Sequence, residues 1–419
     1  MNQIWKHVLL GEVFESITNG VNCDQKSNTG KQLVTRIETI SKGVFNLERI
    51  GRADLTEKDL SKYRMKENDI LFSHINSPIH VGKTALFEID EEVYHGVNLL
   101  RIRTIKEVEP KFLRYFLLLL YTSGFWRTVA KQSVNQASVN QKDISAVPFS
   151  YPTLEKQREI VKKLDSAFAE FDLMEEALSL SISKSNELMQ SLLSASLVSS
   201  EAELKSSNSS GKQIFDMKTF KLSEVCSFSR GLTYSKGDEV EYSSNVVLRA
   251  NNIDLASNSL NLEDLRYIKE SIQIKKEKIA KKDSIIICTA SGSKSHVGKV
   301  ALIDEDYQYA FGGFMGQITP LSNCHHKYLY YILTSGSFKE YLMNLNDGTN
   351  INNLKFSDIE DYEFPMPSLE NQLKIVKKLD RAFIEIESLK SQIGVRQSFA
   401  SVLRQSLLSS VFIKVDEVA

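Results

Sequence analysis

The feature that most constrains this chain of 419 residues is an internal repeat. The stretch "PTLEKQREIVKKLDSAF" at 152–168 returns as "PSLENQLKIVKKLDRAF" at 367–383, an offset of 215 residues. The same offset carries "QSLLSA" at 190–195 onto "QSLLSS" at 405–410. A sequence written twice predicts one structural unit built twice. We therefore expect two similar halves, each with a divergent body followed by a well-matched tail.

Each tail predicts a long amphipathic helix. Its apolar residues alternate at steps of three and four, which is the pattern of a coiled-coil seam. Both helices begin after a proline, Pro152 or Pro367, and carry a glutamate in the first turn, as helix N-termini often do. About 45 residues of this pattern at ~1.5 Å each would span roughly 65 Å, which is more than one small domain covers. The seam positions are Val161, Leu164, Phe168, Phe171, Glu175, Leu178, Val376, Leu379, Phe383, Ile386, Lys390 and Ile393.

Two of these seam positions are charged and equivalent in the repeat, Glu175 and Lys390. If the two helices pair in an antiparallel coiled coil, these opposite charges could meet near the pseudo-twofold axis. Charged seam positions cost stability but can fix register and orientation. Two alternatives stay open: each apolar stripe packs on its own body, and each charge is solvated separately.

The bodies predict mixed α/β domains. Short β-rich runs such as "DILFS" at 69–73 and "SIIICTA" at 284–290 are followed by aromatic helical stretches. The expected fold class is therefore α+β, with two mixed α/β domains, two long helices forming an antiparallel coiled coil, and a pseudo-twofold internal repeat. The expected segments are a first body at 1–150, a first helical region at 151–198, a serine-rich linker at 199–217, a second body at 218–365 and a second helical region at 366–413.

Composition narrows the class of protein further. Hydrophobic residues make up 42% and charged residues 25%, which is typical of a globular protein in solution. No run of about 18 apolar residues and no signal-peptide pattern occur, so we expect a cytoplasmic protein without a membrane segment. The four cysteines are scattered without zinc-site spacing, so no metal is expected. The net charge of −1 means that any affinity for nucleic acid must come from a local basic face.

The motif "HVGK" occurs twice, at 80–83 and 296–299, and its Gly-Lys pair resembles the end of a phosphate-binding loop. Such a loop needs a further glycine five positions before the pair, where this chain has Ser77 and Ser293. The sequence also lacks a dinucleotide fingerprint, a zinc-protease helix and a nucleophile elbow. These absences favour a binding protein over an enzyme.

Taken together, the chain resembles the specificity subunit of Type I restriction–modification enzymes. The match rests on "LGEV" at 10–13 and "LSEV" at 222–225, on "HVGK" in each body, and on "P-[TS]-L-E-x-Q-x-x-I-V-x-x-L-D" at the start of each helix. It covers essentially the whole chain. The resemblance implies that each body is a target recognition domain for one half of a split DNA target. It also implies that the helical pair sets the distance between the half-sites and docks methyltransferase subunits.

The resemblance further implies the partners and the role in host defence. The ligand would be double-stranded DNA, and the partners would be two methyltransferase (modification) subunits and the restriction subunits of the complex. Catalysis would belong to those partners, so the chain is expected to be non-catalytic and to need no cofactor. Two other classes stay open: a coiled-coil scaffold without sequence-specific DNA binding, and a nucleotide-binding enzyme.

Candidate DNA-binding residues lie in polar clusters of both bodies. Arg, Lys, Asn and Gln side chains read base edges, whereas Lys side chains and backbone amides contact phosphates. Lys83 and Lys299 recur in both copies, which indicates either phosphate contact or a structural role shared by the two bodies. The candidates are Arg36, Asn76, His80, Lys83, Lys131, Asn135 and Gln136 in the first body, and Arg249, Asn251, Lys294, His296, Lys299, Asn350 and Asn352 in the second.

Overall fold

The computed structural model describes residues 5–25, 30–133, 136–205, 218–255, 257–292, 296–345 and 353–413. The chain divides into two compact units, one of Met1–Ser179 with Gly394–Ala419 and the other of Leu180–Ile393. Each unit therefore contains one body together with part of each long helix. The bounds of bodies, helical regions and linker given above stay a prediction, because this division by contacts cuts through both helices.

The first body consists of short strands and helices, and the first long helix follows it. The strands are β1 Lys6–Leu9, β2 Phe14–Asn19, β3 Gln32–Val34, β4 Gly51–Ala53, β5 Ile70–Ser73, β6 Ile75–Asn76, β7 Thr84–Leu86, β8 Val93–Tyr94, β9 Leu99–Thr104, β10 Lys131–Ser133, β11 Gln136–Ser138 and β12 Pro148–Tyr151. The helices are α1 Glu57–Tyr63, α2 Pro110–Thr122, α3 Phe125–Val129, α4 Gln141–Ser145 and α5 Leu154–Lys205, with 3-10 turns at Leu10–Val13, Ile37–Ile40 and Leu47–Arg49.

The second body repeats this plan and leads into the second long helix. The strands are β13 Lys218–Lys221, β14 Cys226–Arg230, β15 Glu239–Val240, β16 Asn245–Leu248, β17 Arg266–Ile268, β18 Ile285–Cys288, β19 Val300–Leu302, β20 Ala310–Phe311, β21 Met315–Pro320 and β22 Glu363–Met366. The helices are α6 Leu222–Val225, α7 His326–Thr334, α8 Gly336–Asn344, α9 Phe356–Ile359 and α10 Leu369–Phe412, with 3-10 turns at Lys236–Asp238, Ala250–Asn252 and Lys276–Lys278.

Three sheets of the first body have counterparts in the second, where the smaller sheet gains one strand, β15. The central sheet has the order β2-β9-β5-β7 in the first body and β14-β21-β18-β19 in the second. A smaller sheet, β4-β3-β8, corresponds to β15-β17-β16-β20, and the pair β1-β12 corresponds to β13-β22. In both bodies one strand pair of the smaller sheet is parallel, β3 with β8 and β16 with β20. The predicted α+β fold with an internal repeat is confirmed.

The two strands predicted from continuous apolar runs lie at the centre of each body. Every residue of β5 and of β18 is buried. Ile70 and Phe72 pack with residues of α2, whereas Leu71 between them packs in a separate cluster with Phe87 on the other side of the sheet. Because both faces of the strand are covered, successive residues are apolar instead of alternating with polar ones.

A buried polar network beside β5 differs between the bodies. Asp69 is 1% exposed, its carboxylate lies 2.6 Å from Nε of Arg103, and the guanidinium of Arg101 lies 4.0 Å away. At the same place in the second body, Ser284 donates a hydrogen bond of 3.1 Å to the side-chain oxygen of Gln317. The first body thus has an ionic network where the second has a neutral one.

The glutamine of the repeated tail motif explains how each helix is attached to its body. Gln157 is completely buried. Its amide nitrogen donates to the carbonyls of Pro152 and Glu107, each at 2.9 Å, and its oxygen accepts from the backbone N–H of Glu109 at 2.8 Å. One side chain therefore connects the start of α5 to the segment that begins α2.

Gln372 makes the same three contacts in the second unit. Its amide nitrogen donates to the carbonyls of Pro367 at 2.9 Å and Asn323 at 3.0 Å, and its oxygen accepts from the backbone N–H of His325 at 2.7 Å. A buried amide needs partners for both its donors and its acceptor, and here all are satisfied. The motif residue recurs because both bodies need the same connection.

The two long helices pack against each other in both units. In the first unit, Leu408 and Phe412 of α10 join a cluster with Val161 and Leu164 of α5. Earlier in α10, Arg404 lies over the ring of Phe168, so the two helices run in opposite directions. In the second unit the α5 residue Leu193 packs with the α10 residues Val376 and Leu379. The predicted antiparallel pairing is confirmed.

The structure places the seam residues toward the packed side of the helices. Val161, Leu164, Leu178, Val376, Leu379, Ile386 and Ile393 are buried, whereas Phe168, Phe171, Glu175, Phe383 and Lys390 are half-buried. Both seam charges have an ion-pair partner inside their own unit. The carboxylate of Glu175 lies 3.4 Å from the guanidinium of Arg404, and Nζ of Lys390 lies 2.7 Å from the carboxylate of Glu387. A direct contact between Glu175 and Lys390 stays a prediction.

Within the described part of the chain, the helices are either too short or too polar to cross a lipid bilayer.

Candidate nucleic-acid interface

An open cleft of about 690 Å³ lies at the edge of the smaller sheet of the first body. Its polar lining includes the amides of Asn22, Gln25 and Asn98 and the guanidinium of Arg36. Arg36 follows β3, and its Nε donates to the side-chain oxygen of Gln25 at 2.8 Å while Nη2 donates to the carbonyl of Gln25 at 2.6 Å. Arg36 and Gln25 are thus held together, and the cleft presents side-chain types that read base edges beside the carboxylates of Asp24 and Glu38.

A second group of candidates comes together on a small sheet in the order β10-β11-β6. Asn76 of β6 lies opposite Ala137 of β11, and the hairpin β10-β11 carries Lys131 and Gln136, both exposed. The structure thus brings two stretches that are distant in sequence onto one surface. Asn135, another candidate from this hairpin, lies outside the described residues.

The repeated glycine of "HVGK" is required by the backbone and by packing. Gly82 has a φ of +90° and Gly298 a φ of +84°, a region that side chains with a Cβ rarely adopt. A Cβ on Gly82 would lie 2.0 Å from the ring of Trp126, and one on Gly298 would lie 2.4 Å from Leu342. The motif is therefore a tight turn after the central strand in each body, which explains its recurrence without a bound phosphate.

The repeated lysine of the motif bonds to a loop carbonyl in both bodies. Nζ of Lys83 donates to the carbonyl of Ser41 at 2.5 Å, and Nζ of Lys299 donates to the carbonyl of Ile253 at 2.7 Å. Burial lowers the pKa of both ammonium groups below the usual range. Of the two roles considered for these lysines, the contacts favour the structural one.

Beside Lys83, burial and the nearby ammonium lower the pKa of the half-buried His80.

Replacing Lys83 or Lys299 with methionine should therefore lower stability and leave the salt dependence of DNA binding unchanged. Each variant leaves a loop carbonyl without its donor, which costs about 1–3 kcal/mol. Chemical denaturation measures this loss, and binding titrations at several salt concentrations measure the number of phosphate contacts. Lys131→Met, which replaces an exposed lysine of the β10-β11 hairpin, is the matched variant with which both are compared. A smaller salt slope at unchanged stability would show that Lys83 and Lys299 contact phosphate after all.

The candidates of the second body lie at corresponding places. Arg249 follows β16 as Arg36 follows β3, and its Nη2 is 2.8 Å from the carboxylate of Asp264. Asn251 is exposed on the same 3-10 turn, and His296 is half-buried in the second "HVGK" turn. Three further candidates, Lys294, Asn350 and Asn352, lie outside the described residues.

The sequence analysis missed three lining residues of the first cleft, Asn22, Gln25 and Asn98. Asn98 has a φ of +71°, which Asn tolerates better than most residues, so its turn was readable from the sequence. The sequence did not show that Asn98 lines the cleft, because the parallel pairing of β3 with β8 brings it close to Arg36 and Gln25. Among the described residues, no group of three or more His, Cys, Asp or Glu side chains is arranged to hold a metal ion.

The chain matches the family described as Type I restriction modification DNA specificity domain twice, at residues 2–183 and 215–395. The MjaX specificity subunit of Methanocaldococcus jannaschii is 33% identical over 224 residues, 53% of this chain and 49% of that protein. The EcoKI specificity subunit of Escherichia coli is 29% identical over 190 residues, 45% of this chain and 40% of that protein. The matched stretch thus spans about half the length of these relatives, or less.

Two solved structures share the fold over nearly the whole chain. One is from a study titled as the structural basis underlying complex assembly and conformational transition of the type I R-M system. It has a TM-score of 0.72 at 17% identity and covers 98% of both chains. The HsdS subunit of Thermoanaerobacter tengcongensis has a TM-score of 0.52 at 18% identity and covers 97% of this chain and 96% of that one. With its two matched segments and this fold, the chain belongs to the Type I restriction modification DNA specificity family.

Proposed function

We propose that the chain is the DNA sequence-recognition subunit of a Type I restriction–modification complex. It binds a bipartite, gapped target on double-stranded DNA and directs methyltransferase and restriction subunits to that target. The chain contributes recognition and no catalytic group, it needs no cofactor, and it acts in the cytoplasm. The two bodies are the target recognition domains and the paired helices set the distance between the half-sites.

One contrast between the bodies carries this proposal. Residues with structural contacts are the same in both bodies. Gln157 and Gln372 make equivalent contacts, and so do Lys83 and Lys299. In contrast, the loop position that Asn98 occupies in the first body is occupied by Phe314 in the second. A repeated scaffold with different side chains at the same loop is what two domains need to read two different half-sites, since bases are distinguished by the side chains that meet their edges.

The test is the pattern of methylated adenines in DNA from cells that contain the methyltransferase partner, with and without this chain. We expect one bipartite motif, two defined half-sites separated by unspecified bases, to be methylated only when the chain is present. The alternatives predict different results. A scaffold would assemble with its partners but produce no motif. A nucleotide-binding enzyme would hydrolyse ATP on its own and lose that activity in Lys83→Ala.

A further inference from the structure

Phe314 is an exposed aromatic side chain of the second body. Phe314 lies between β20 and β21, and 72% of it is exposed. Isolated exposed apolar residues are common on protein surfaces, so exposure alone assigns no role. The role of Phe314 is therefore argued from the backbone of its loop and from the neighbouring residues.

Hydrogen bonds hold the loop of Phe314 in place on two sides. The N–H of Gly312 donates to the carbonyl of Leu248 at 2.9 Å. The carbonyl of Phe314 accepts from the N–H groups of Thr289 at 2.9 Å and Ala290 at 3.2 Å. An exposed ring on an ordered backbone loses little conformational freedom when it binds, which favours its use as a contact.

The first of the two anchoring points adjoins candidate DNA-reading residues. Leu248 directly precedes Arg249, whose turn also carries Asn251. Ala290 lies in a β-bridge with Asn353. The loop of Phe314 is therefore bonded directly to the strand end that leads into the candidate turn of Arg249 and Asn251.

The equivalent residue of the first body lines a cleft. A parallel bridge joins Val21 to Gly96 in the first body and Leu232 to Gly312 in the second, so Asn98 and Phe314 are equivalent residues. Asn98 lines the 690 Å³ cleft together with Arg36. In this repeat, the amide residue that lines the cleft of the first body is replaced by an exposed apolar ring in the second.

We propose that Phe314 inserts between bases at the second half-site and partly unstacks one base step. This inference rests on the proposed function. A phenyl ring cannot read the hydrogen-bonding groups of a base edge, but it can stack on a base face, and apolar wedges of this kind unstack and bend duplex DNA. The second body would thus recognise the deformability of a base step in addition to base edges.

The experiment uses the full chain assembled with its methyltransferase partner and a duplex that carries the motif found by adenine methylation. The fluorescent base 2-aminopurine is placed in turn at each position that is not methylated, because its emission rises when it is unstacked. We expect a rise at one position of the second half-site. Phe314→Ala should abolish this rise and weaken binding roughly ten- to a hundredfold, which is the usual effect of losing one stacked aromatic. Phe314→Trp should retain both.

Two matched variants distinguish this role of Phe314 from the general effect of removing an exposed side chain. Asn98→Ala, at the equivalent position of the first body, should leave the emission at the second half-site unchanged when the DNA is saturated with the complex, because it acts on the first half-site only. Tyr242→Ala removes the more exposed aromatic of the second body, 83% exposed and 5.3 Å from the ring of Tyr267, and should leave both affinity and signal unchanged. Melting temperatures equal to wild type show that each variant is folded.

The outcomes distinguish this inference from the proposed function. If the wild-type complex binds no duplex selectively, the proposed function fails and the role of Phe314 fails with it. If the wild-type complex binds its motif and Phe314→Ala gives the same affinity and the same emission, only the role of Phe314 is overturned. A loss of affinity in Phe314→Ala without any wild-type rise in emission would also overturn it, because no base step is then unstacked.

Discussion

Replacing Asp69 with alanine should destabilise the first body by about 3–5 kcal/mol, the usual cost of removing one partner from a buried ion pair. The side chains of Asp69 and Arg101 are only 1% and 6% exposed. The carboxylate also accepts a hydrogen bond from the backbone N–H of Lys66 at 2.8 Å. Without it, the Arg101 guanidinium stays buried and has no other carboxylate within ion-pair distance among the described residues. Chemical denaturation followed by circular dichroism measures the loss.

The second body supplies the control for this prediction. Ser284→Ala removes the equivalent side chain from a neutral network, so it should cost only about 1 kcal/mol. The double variant Asp69→Ser with Arg101→Gln places the Ser284–Gln317 pair in the first body and leaves only the more exposed Arg103 charged, so it should recover part of the stability lost in Asp69→Ala. An Asp69→Ala variant as stable as Ser284→Ala would show that the ionic network does not stabilise the first body.

Inserting four residues into α5 between Leu178 and Met189 should lengthen the gap in the DNA target by one or two base pairs. Four residues at ~1.5 Å each add ~6 Å to the helix, and base pairs rise by ~3.4 Å each along the duplex. Four residues also nearly complete a helical turn, so the seam rotates little and pairing can survive as a stutter. Sequencing of methylated adenines reads the new gap directly.

The half-site sequences should not change in this variant, because both bodies keep their residues. Lys184→Ala, an exposed substitution in the same stretch of helix, should leave the gap as it is in the wild type. Retained methylation with an unchanged gap would show that the paired helices do not set the spacing.

Much of the fold was predictable because it is encoded in local patterns. The apolar run at 284–290 forms β18, and the three-four spacing of the tails forms α5 and α10. A single repeated residue such as Gln157 was part of the quoted motif, but its function in attaching helix to body was not visible. Its partners Glu107 and Glu109 lie about 50 residues earlier in the chain.

The residues of the candidate recognition surface were less predictable from the sequence than the fold was. Lys83 was a candidate for phosphate contact, yet its ammonium bonds to the carbonyl of Ser41. Conversely, nothing in the sequence indicated that Asn98 and Gln25 share the cleft with Arg36. Whether a polar side chain faces a ligand or its own backbone is decided by what the fold places around it.

The sequence by itself determined the internal repeat and the two long helices, because duplication and periodicity are properties of the linear pattern, and its motifs carried the resemblance to the family. Only the tertiary structure decided which side chains meet. The cleft of Arg36, Gln25 and Asn98 and the exposed position of Phe314 depend on strand pairings between distant segments. Those pairings depend on which strands can bury their apolar faces together, and that is a property of the whole body and not of any short stretch within it.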